Sequence, residues 1–472
     1  MAIFKKKNLN GKKPSHHFRL VKKSDLEKRK NEKITKKVDK DVENNEKKEK
    51  EIRRLAATGK DISNKKINDL IDSAKQSHVQ DIIVELFNGL MVYAAISESA
   101  SDLHIEPWEE EAMIRIRVDG ILYDRFRVNK TIYLRLISLL KILTKMRTDE
   151  HRAPQDGRFE FQTEGGGVDV RASVIPTSNG EKAVLRFLSG KSHKLTLKQL
   201  GFLGDDLRKV SKAIHKNWGM ILATGPTGSG KTTTIYAILE EINKREVNIT
   251  TIEDPVEFEI EGVNQSQVDR KAKMDFATGL RSLLRQDPDI IMVGEIRDEE
   301  TAKIAVNAAM TGHKLLSTLH TNNAATTVLR LIDMGTESYL VASTLICAIA
   351  QRLVRKLCPD CKVKRTLTRT KAKRILKLEY VKLLFGNKEK IKVAVAGGCF
   401  DCGNTGYKGR LGVYEVLDNT PEIQELILKR VNSTKLQEAA IKLGMTTMAE
   451  DGIKKVASGD TTLEEFVRVM QE

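Results

Sequence analysis

The chain has 472 residues, 40% of them apolar, and a net charge of +17. That length accommodates two or three domains with their own cores, so most of the chain is expected to fold. No run of 18 or more apolar residues occurs and the basic N-terminus lacks the apolar core of a signal peptide, so an intracellular chain is expected, with any membrane role peripheral.

Residues 1–65 come first and read as a charged tail. Residues 1–60 carry 21 Lys/Arg against 9 Asp/Glu, a net of +12, so the basic balance belongs to this segment more than to the folded remainder. One reading is a solvated, disordered tail. Another is peripheral contact with an anionic membrane, where each basic residue near the surface contributes about 1 kcal/mol. Only Phe4 and Phe18 interleave the basic residues of this segment, which serves base stacking poorly and makes nucleic acid the weaker partner.

Order is expected from residue 66. Ile67, Leu70, Ile71, Ile82, Ile83, Leu86, Leu90 and Met91 recur at helical spacing. Strand-like alternation over 113–118, a turn at Asp119-Gly120 and a second apolar run at 121–123 predict a hairpin. A helix is expected near 131–147, and strands around 158–161, 168–175 and 183–187. Residues 66–188 thus read as one α/β domain, and the small polar stretch at 189–197 as a linker. A second domain is expected over 198–472. Its short apolar strands at 220–223, 248–252, 290–293 and 315–319 alternate with helices, which predicts a parallel sheet. Ligands bind such sheets at the carboxyl ends of the strands, and the polar motifs fall there. Residues 358–402 form a cysteine-bounded insert and 412–472 a helical C-terminal region. Cys347 reads as a core residue of an apolar helix.

Gly225-Pro226-Thr227-Gly228-Ser229-Gly230-Lys231-Thr232 fits the phosphate-loop pattern G-x-x-x-x-G-K-[ST]. Its backbone N–H groups form an anion nest, and the following helix adds its positive dipole end. Lys231 can reach the β- and γ-phosphates and the Thr232 hydroxyl can ligate Mg²⁺, so ATP with Mg²⁺ is the expected ligand. The strand ending in Glu253-Asp254 is expected beside the loop strand, with its carboxylates facing the nucleotide. Glu295 follows a Walker-B-like strand one residue late, after Gly294, and is placed to position water or to hold Mg²⁺ through water. His313 and His320 flank the strand 314–319, from whose end a histidine can contact the γ-phosphate. Arg281 and Arg285 share one helix face, and Arg171 and Arg186 lie in first-domain strands. Each is a candidate for the cation that stabilises charge on the γ-phosphate, supplied by its own subunit or by a neighbour in a ring.

Four of the five cysteines fall in two CxxC pairs, Cys358/Cys361 and Cys399/Cys402. This spacing fits a closed, structural Cys₄ zinc site.

Together these motifs resemble the secretion ATPases of type II secretion systems and the assembly ATPases of type IV pili, over about residues 78–472. The resemblance is carried by Ser101-Asp-Leu-His-Ile-Glu-Pro107, the Arg115/Arg117/Asp119-Gly120 hairpin, Gln155-Asp-Gly-Arg158, the loop including Thr233, and Glu253-Asp254-Pro255. Its most specific parts are Leu284-Arg-Gln-Asp-Pro-Asp-Ile-Ile-Met-Val-Gly-Glu-Ile-Arg-Asp298 and Gly312-His-Lys-Leu-Leu-Ser-Thr-Leu-His320-Thr321. It implies a homohexamer whose subunits join a PAS-like α/β first domain to a RecA-like P-loop motor domain, with ATP in the cleft between them. It matches Arg171 and Arg186 to the family's first-domain arginines that approach nucleotide phosphate, and Arg281 and Arg285 to its motor-domain arginines. It also implies a cytoplasmic location at the inner face of the cytoplasmic membrane, and as partners an inner-membrane platform protein with associated pilus or secretion assembly proteins. The Cys₄ insert resembles the assembly and secretion branch; the pilus-retraction ATPases generally lack it. Family members usually carry a folded N-terminal domain, whereas the region here is short and charged. The rival readings are a retraction-type ATPase and a nucleic-acid-translocating motor. The second is disfavoured because the charge sits in the tail and no helicase-type motif set follows the loop.

Overall fold

The computed structural model describes residues 63–76, 80–163, 166–189 and 195–471. Residues 1–62 of the basic tail, and residues 190–194 of the expected linker, lie outside these.

The helices Asn64–Gln76 and Gln80–Val92 open the described chain. Six strands follow: β1 Asp102–Pro107, β2 Glu111–Val118, β3 Ile121–Asn129, β4 Gln155–Thr163, β5 Gly166–Thr177 and β6 Gly180–Ser189. They form one antiparallel sheet in the order β3-β2-β1-β6-β5-β4. Alternation sends Leu103, Ile105, Ile114, Ile116, Val170, Ala172 and Leu185 into a core shared with the two helices and with a third, Lys130–Leu143. That third helix starts where the Asn129 side chain accepts the Ile132 N–H. The opposite face is polar. Arg158, Arg171, Arg186, Asp102 and Arg117 are paired in register across five successive strands, so their side chains line one row.

The second sheet has seven strands: β7 Gly219–Thr224, β8 Ile249–Glu253, β9 Asn264–Gln267, β10 Ile290–Val293, β11 Lys314–Leu319, β12 Leu345–Leu357 and β15 Tyr407–Asp418. The insert supplies a separate pair, β13 Val363–Thr368 with β14 Lys390–Val395. The seven run in the order β15-β12-β7-β11-β10-β8-β9, with every pair parallel except β12 with β15. The four strands expected to be parallel are so.

Three expectations are corrected. The strand carrying Glu253 does not lie beside the loop strand: β7 is hydrogen-bonded to β11 and β12, and β11 and β10 stand between it and β8. Cys347 lies in β12, not in a helix; the strand is covered on both faces and shows no alternation, which hides it from a periodicity reading. Residues 412–418 belong to β15, which returns along β12, so the helical C-terminal region begins at Pro421.

The two sheets meet at several points. Arg171 Nη2 donates to the Val256 carbonyl at 2.6 Å, Gly409 N donates to Asp119 Oδ2 at 2.9 Å, and Arg355 Nη1 donates to the Tyr123 hydroxyl at 3.3 Å. The small core of the insert, with Leu367, Val381, Phe385 and Val393, packs on Ile453, Val456 and Phe466 of the C-terminal helices.

Candidate nucleotide site and metal centre

β7 is buried along its whole length and delivers the chain into the loop at Gly225; the helix Lys231–Ile242 takes over after Gly230. Gly225 has φ +149°, and a Cβ there would stand 2.6 Å from Ser229 Oγ. Gly230, the residue that caps the helix, has φ +86°. Both positions require glycine. Lys231 Nζ donates to the Gly225 and Pro226 carbonyls at 2.9 and 3.2 Å, so the ammonium lies over the loop rather than in solvent. Burial pushes its pKa down, and the charge of Glu295 acts in the opposite sense. Thr232 and Thr233 sit in the first turn of the helix, half-buried and exposed respectively.

Glu295 follows β10. Its Oε1 accepts from Arg297 Nη2 at 2.5 Å, and its Oε2 lies 3.4 Å from His320 Nε2. His320 follows β11, the strand between β7 and β10. The parallel order therefore gathers Lys231, His320 and Glu295 at adjacent carboxyl ends. Burial and the nearby Lys231 ammonium lower the His320 pKa, against the pull of Glu295, which favours the neutral imidazole. A chain of hydroxyls ties the end of β7 to that of β11 and to the helix Ala324–Asp333: Thr224 Oγ1 to Thr321 Oγ1 at 2.6 Å, and Thr321 Oγ1 to Thr327 Oγ1 at 2.6 Å.

Glu253 is placed differently. It is buried at 2% exposure; Tyr236 Oη donates to its Oε2, Thr251 Oγ1 to its Oε1 at 2.6 Å and Gln265 Nε2 to its Oε1 at 3.2 Å. Tyr236 stands on the helix that follows the phosphate loop, so Glu253 is linked to the loop through this phenol and not through an adjacent strand. Asp254 is exposed. Arg171 grips the backbone just beyond, at Val256. Its neighbour Arg186 is largely exposed and held by Asp102 Oδ1 at 2.9 Å. Arg281 pairs with Glu300, in the first turn of the helix that follows β10, and Arg285 donates to the Arg281 carbonyl at 3.0 Å. His313 is a further correction. It precedes β11, its carbonyl accepts from Gly219 N at the start of β7, and its ring meets Ala308 and Thr311. That is the amino end of the sheet, some 20 Å from the loop at about 3.3 Å per residue, so His313 does not face the loop. Arg297, Tyr236, Thr224 and Thr327 are contacts that the sequence reading missed. Arg297 stands within the quoted run that ends at Asp298 and Thr224 directly precedes the loop, whereas Tyr236 and Thr327 join the site only through the fold.

Cys358, Cys361, Cys399 and Cys402 bring their sulfurs within 4.8 Å of one another. The separations of Cys358–Cys399 and Cys361–Cys402 are 3.8 Å, and that of Cys399–Cys402 is 3.6 Å. These are too long for a disulfide and match the edge of a tetrahedron with metal–sulfur bonds of about 2.3 Å, which is about 3.8 Å. Backbone N–H groups of Gly398, Cys399 and Gly406 point at the sulfurs of Cys361 and Cys402 at 3.2 Å, the arrangement that suits thiolates. The four side chains could hold a metal ion, with no fifth ligand needed.

The family model described as type II/IV secretion system protein matches residues 76–468. This chain belongs to that family. It is 45% identical over 392 residues to the type II secretion system protein E of Aeromonas hydrophila, covering 83% of this chain and 76% of that one. It is 44% identical over 387 residues to the type IV pilus assembly ATPase PilB of Myxococcus xanthus, covering 82% of this chain and 67% of PilB. Among solved structures, the pilus retraction motor PilT with bound ADP is similar at 29% identity and a TM-score of 0.54, covering 80% of this chain and 95% of that one. The secretion-family fold, with a nucleotide loop on a largely parallel sheet, is thus shared with a protein whose structure holds ADP.

Proposed function

We infer that this secretion-family chain is an ATP hydrolase that powers the assembly of a pilin-type fibre, in type II protein secretion or type IV pilus biogenesis. The observation that carries this is the convergence of Lys231, His320 and Glu295 at adjacent carboxyl ends beside a phosphate loop. Lys231 and the loop amides would hold the phosphates, and Thr232 would hold the Mg²⁺ that neutralises them. Glu295, fixed between Arg297 and His320, is aimed to orient the attacking water; Glu253, fully hydrogen-bonded, supports the loop helix through Tyr236. The Cys₄ cluster would hold a structural zinc. This cluster, with the higher identity to the secretion and pilus-assembly relatives, favours assembly over retraction.

The finer reading is a homohexamer at the inner face of the cytoplasmic membrane, working on an inner-membrane platform protein. It makes Arg171 and Arg186 the cations that approach nucleotide when subunits assemble. A cation arriving late at the γ-phosphate stabilises the transition state more than the ground state. Arg186→Ala should therefore lower kcat by at least about tenfold while KM moves by less than about twofold. Activity per subunit of the parent should rise with protein concentration as the ring forms. A flat specific activity would reject ring dependence, and an unaltered kcat would reject the role of Arg186.

A further inference from the structure

β12 leaves β7 at Ala350, which pairs with Thr224, the last residue before the phosphate loop. The next residue on β12, Gln351, faces the place where β7 has given way to the loop. It is 1% exposed. Its Nε2 donates to the Ser229 carbonyl at 2.7 Å. Its own carbonyl oxygen would lie 2.4 Å from a Cβ on Gly225, and its amide nitrogen 3.3 Å from one on Gly230. One side chain and its backbone thus back the loop at three points.

The contact at Ser229 has a directional consequence. A peptide group is planar and trans, so a carbonyl and the N–H of the following residue point in opposite directions. With the Ser229 carbonyl drawn back to Gln351, the Gly230 N–H is turned away from β12, toward the face of the loop where an anion would sit. The backbone does not enforce this by itself. Gly230 has no Cβ and tolerates either orientation of the peptide before it. Packing does not explain the choice of residue either: an apolar side chain would fill the space, whereas Gln351 leaves its Oε1 buried without a partner, which is costly.

We propose that Gln351 is a positioning residue for nucleotide binding: its amide selects the peptide orientation that presents the Gly230 N–H to the phosphates. This rests on the nucleotide reading of the loop and adds to it a determinant more than a hundred residues away in sequence. The interaction it sets is present with bound ATP and in the transition state alike, so it governs affinity rather than turnover.

The test is Gln351→Met, which keeps length and volume but has no N–H, compared with the parent in full-length protein. ATP and ADP binding should each weaken about tenfold, KM should rise in parallel, and kcat should stay within about threefold. Gln351→Leu, which likewise has no N–H and adds no charge, gives the same readout if the methionine variant does not fold. A folded variant of either kind that binds ATP within about twofold of the parent overturns the inference, as does a collapse of kcat with KM unmoved. Lys231→Ala measured alongside separates the two levels. If it loses ATP hydrolysis while the Gln351 variants keep the parent's ATP affinity, only the positioning role fails; if it hydrolyses ATP at the parent rate, the nucleotide reading of the loop fails.

Discussion

Lys231→Ala should reduce Mg²⁺-dependent ATP hydrolysis by on the order of 10²–10³-fold. The magnitude follows from position. Among the described residues, the Lys231 ammonium is the side-chain cation seated on the loop itself, bonded to the Gly225 and Pro226 carbonyls. Its burial means that its charge is poorly screened by water and acts strongly on phosphate oxygens. Alanine leaves the loop amides and the helix end in place, so residual nucleotide binding is compatible with the loss of turnover. Phosphate release measured on the purified variant checks this, with the melting temperature as the control for folding. Turnover at the parent rate would contradict the assignment of the loop.

The second large effect concerns the cysteines. One zinc per chain is expected in protein purified without chelator. Cys358→Ser or Cys402→Ser should abolish that content, while Cys347→Ser, whose side chain lies buried in β12, should leave it unchanged. Structural zinc sites of small modules contribute on the order of 10 kcal/mol to local folding. The insert has only a small core, so metal loss should unfold it and expose the face of the C-terminal helices that it covers. Metal analysis together with limited proteolysis of the insert reads both effects. Full zinc content in the Cys402→Ser protein would remove the four-cysteine site.

Much of this architecture is legible in the sequence, for identifiable reasons. The four parallel strands β7, β8, β10 and β11 are short apolar runs that end in polar motifs, so each announces both itself and its functional end. The first-domain hairpin is marked by alternation and by Asp119-Gly120. The cysteine pairs carry their ligand geometry in their spacing. The order of strands within the sheet is not legible, because βα alternation fixes direction but not neighbours; this is why β8 was expected beside β7. β12 evades detection because its run Leu345–Ala350 is buried throughout and has neither helical nor strand periodicity. His313 illustrates a different gap. A residue before a parallel strand sits at the amino end, opposite the ligand, and only the direction of β11 separates it from His320. Contacts such as Tyr236 with Glu253, or Gln351 with Ser229, join elements far apart in sequence and have no local signature at all.

The central claim is that this chain is an ATP-driven motor for protein assembly, and steady-state phosphate release by the purified zinc-loaded protein tests it most directly. Release is measured with and without Mg²⁺, and with and without DNA, at a protein concentration high enough for assembly. The expected result is turnover that requires Mg²⁺ and does not change when single- or double-stranded DNA is added. Absence of turnover under all these conditions, or turnover that appears only with DNA, would contradict the account.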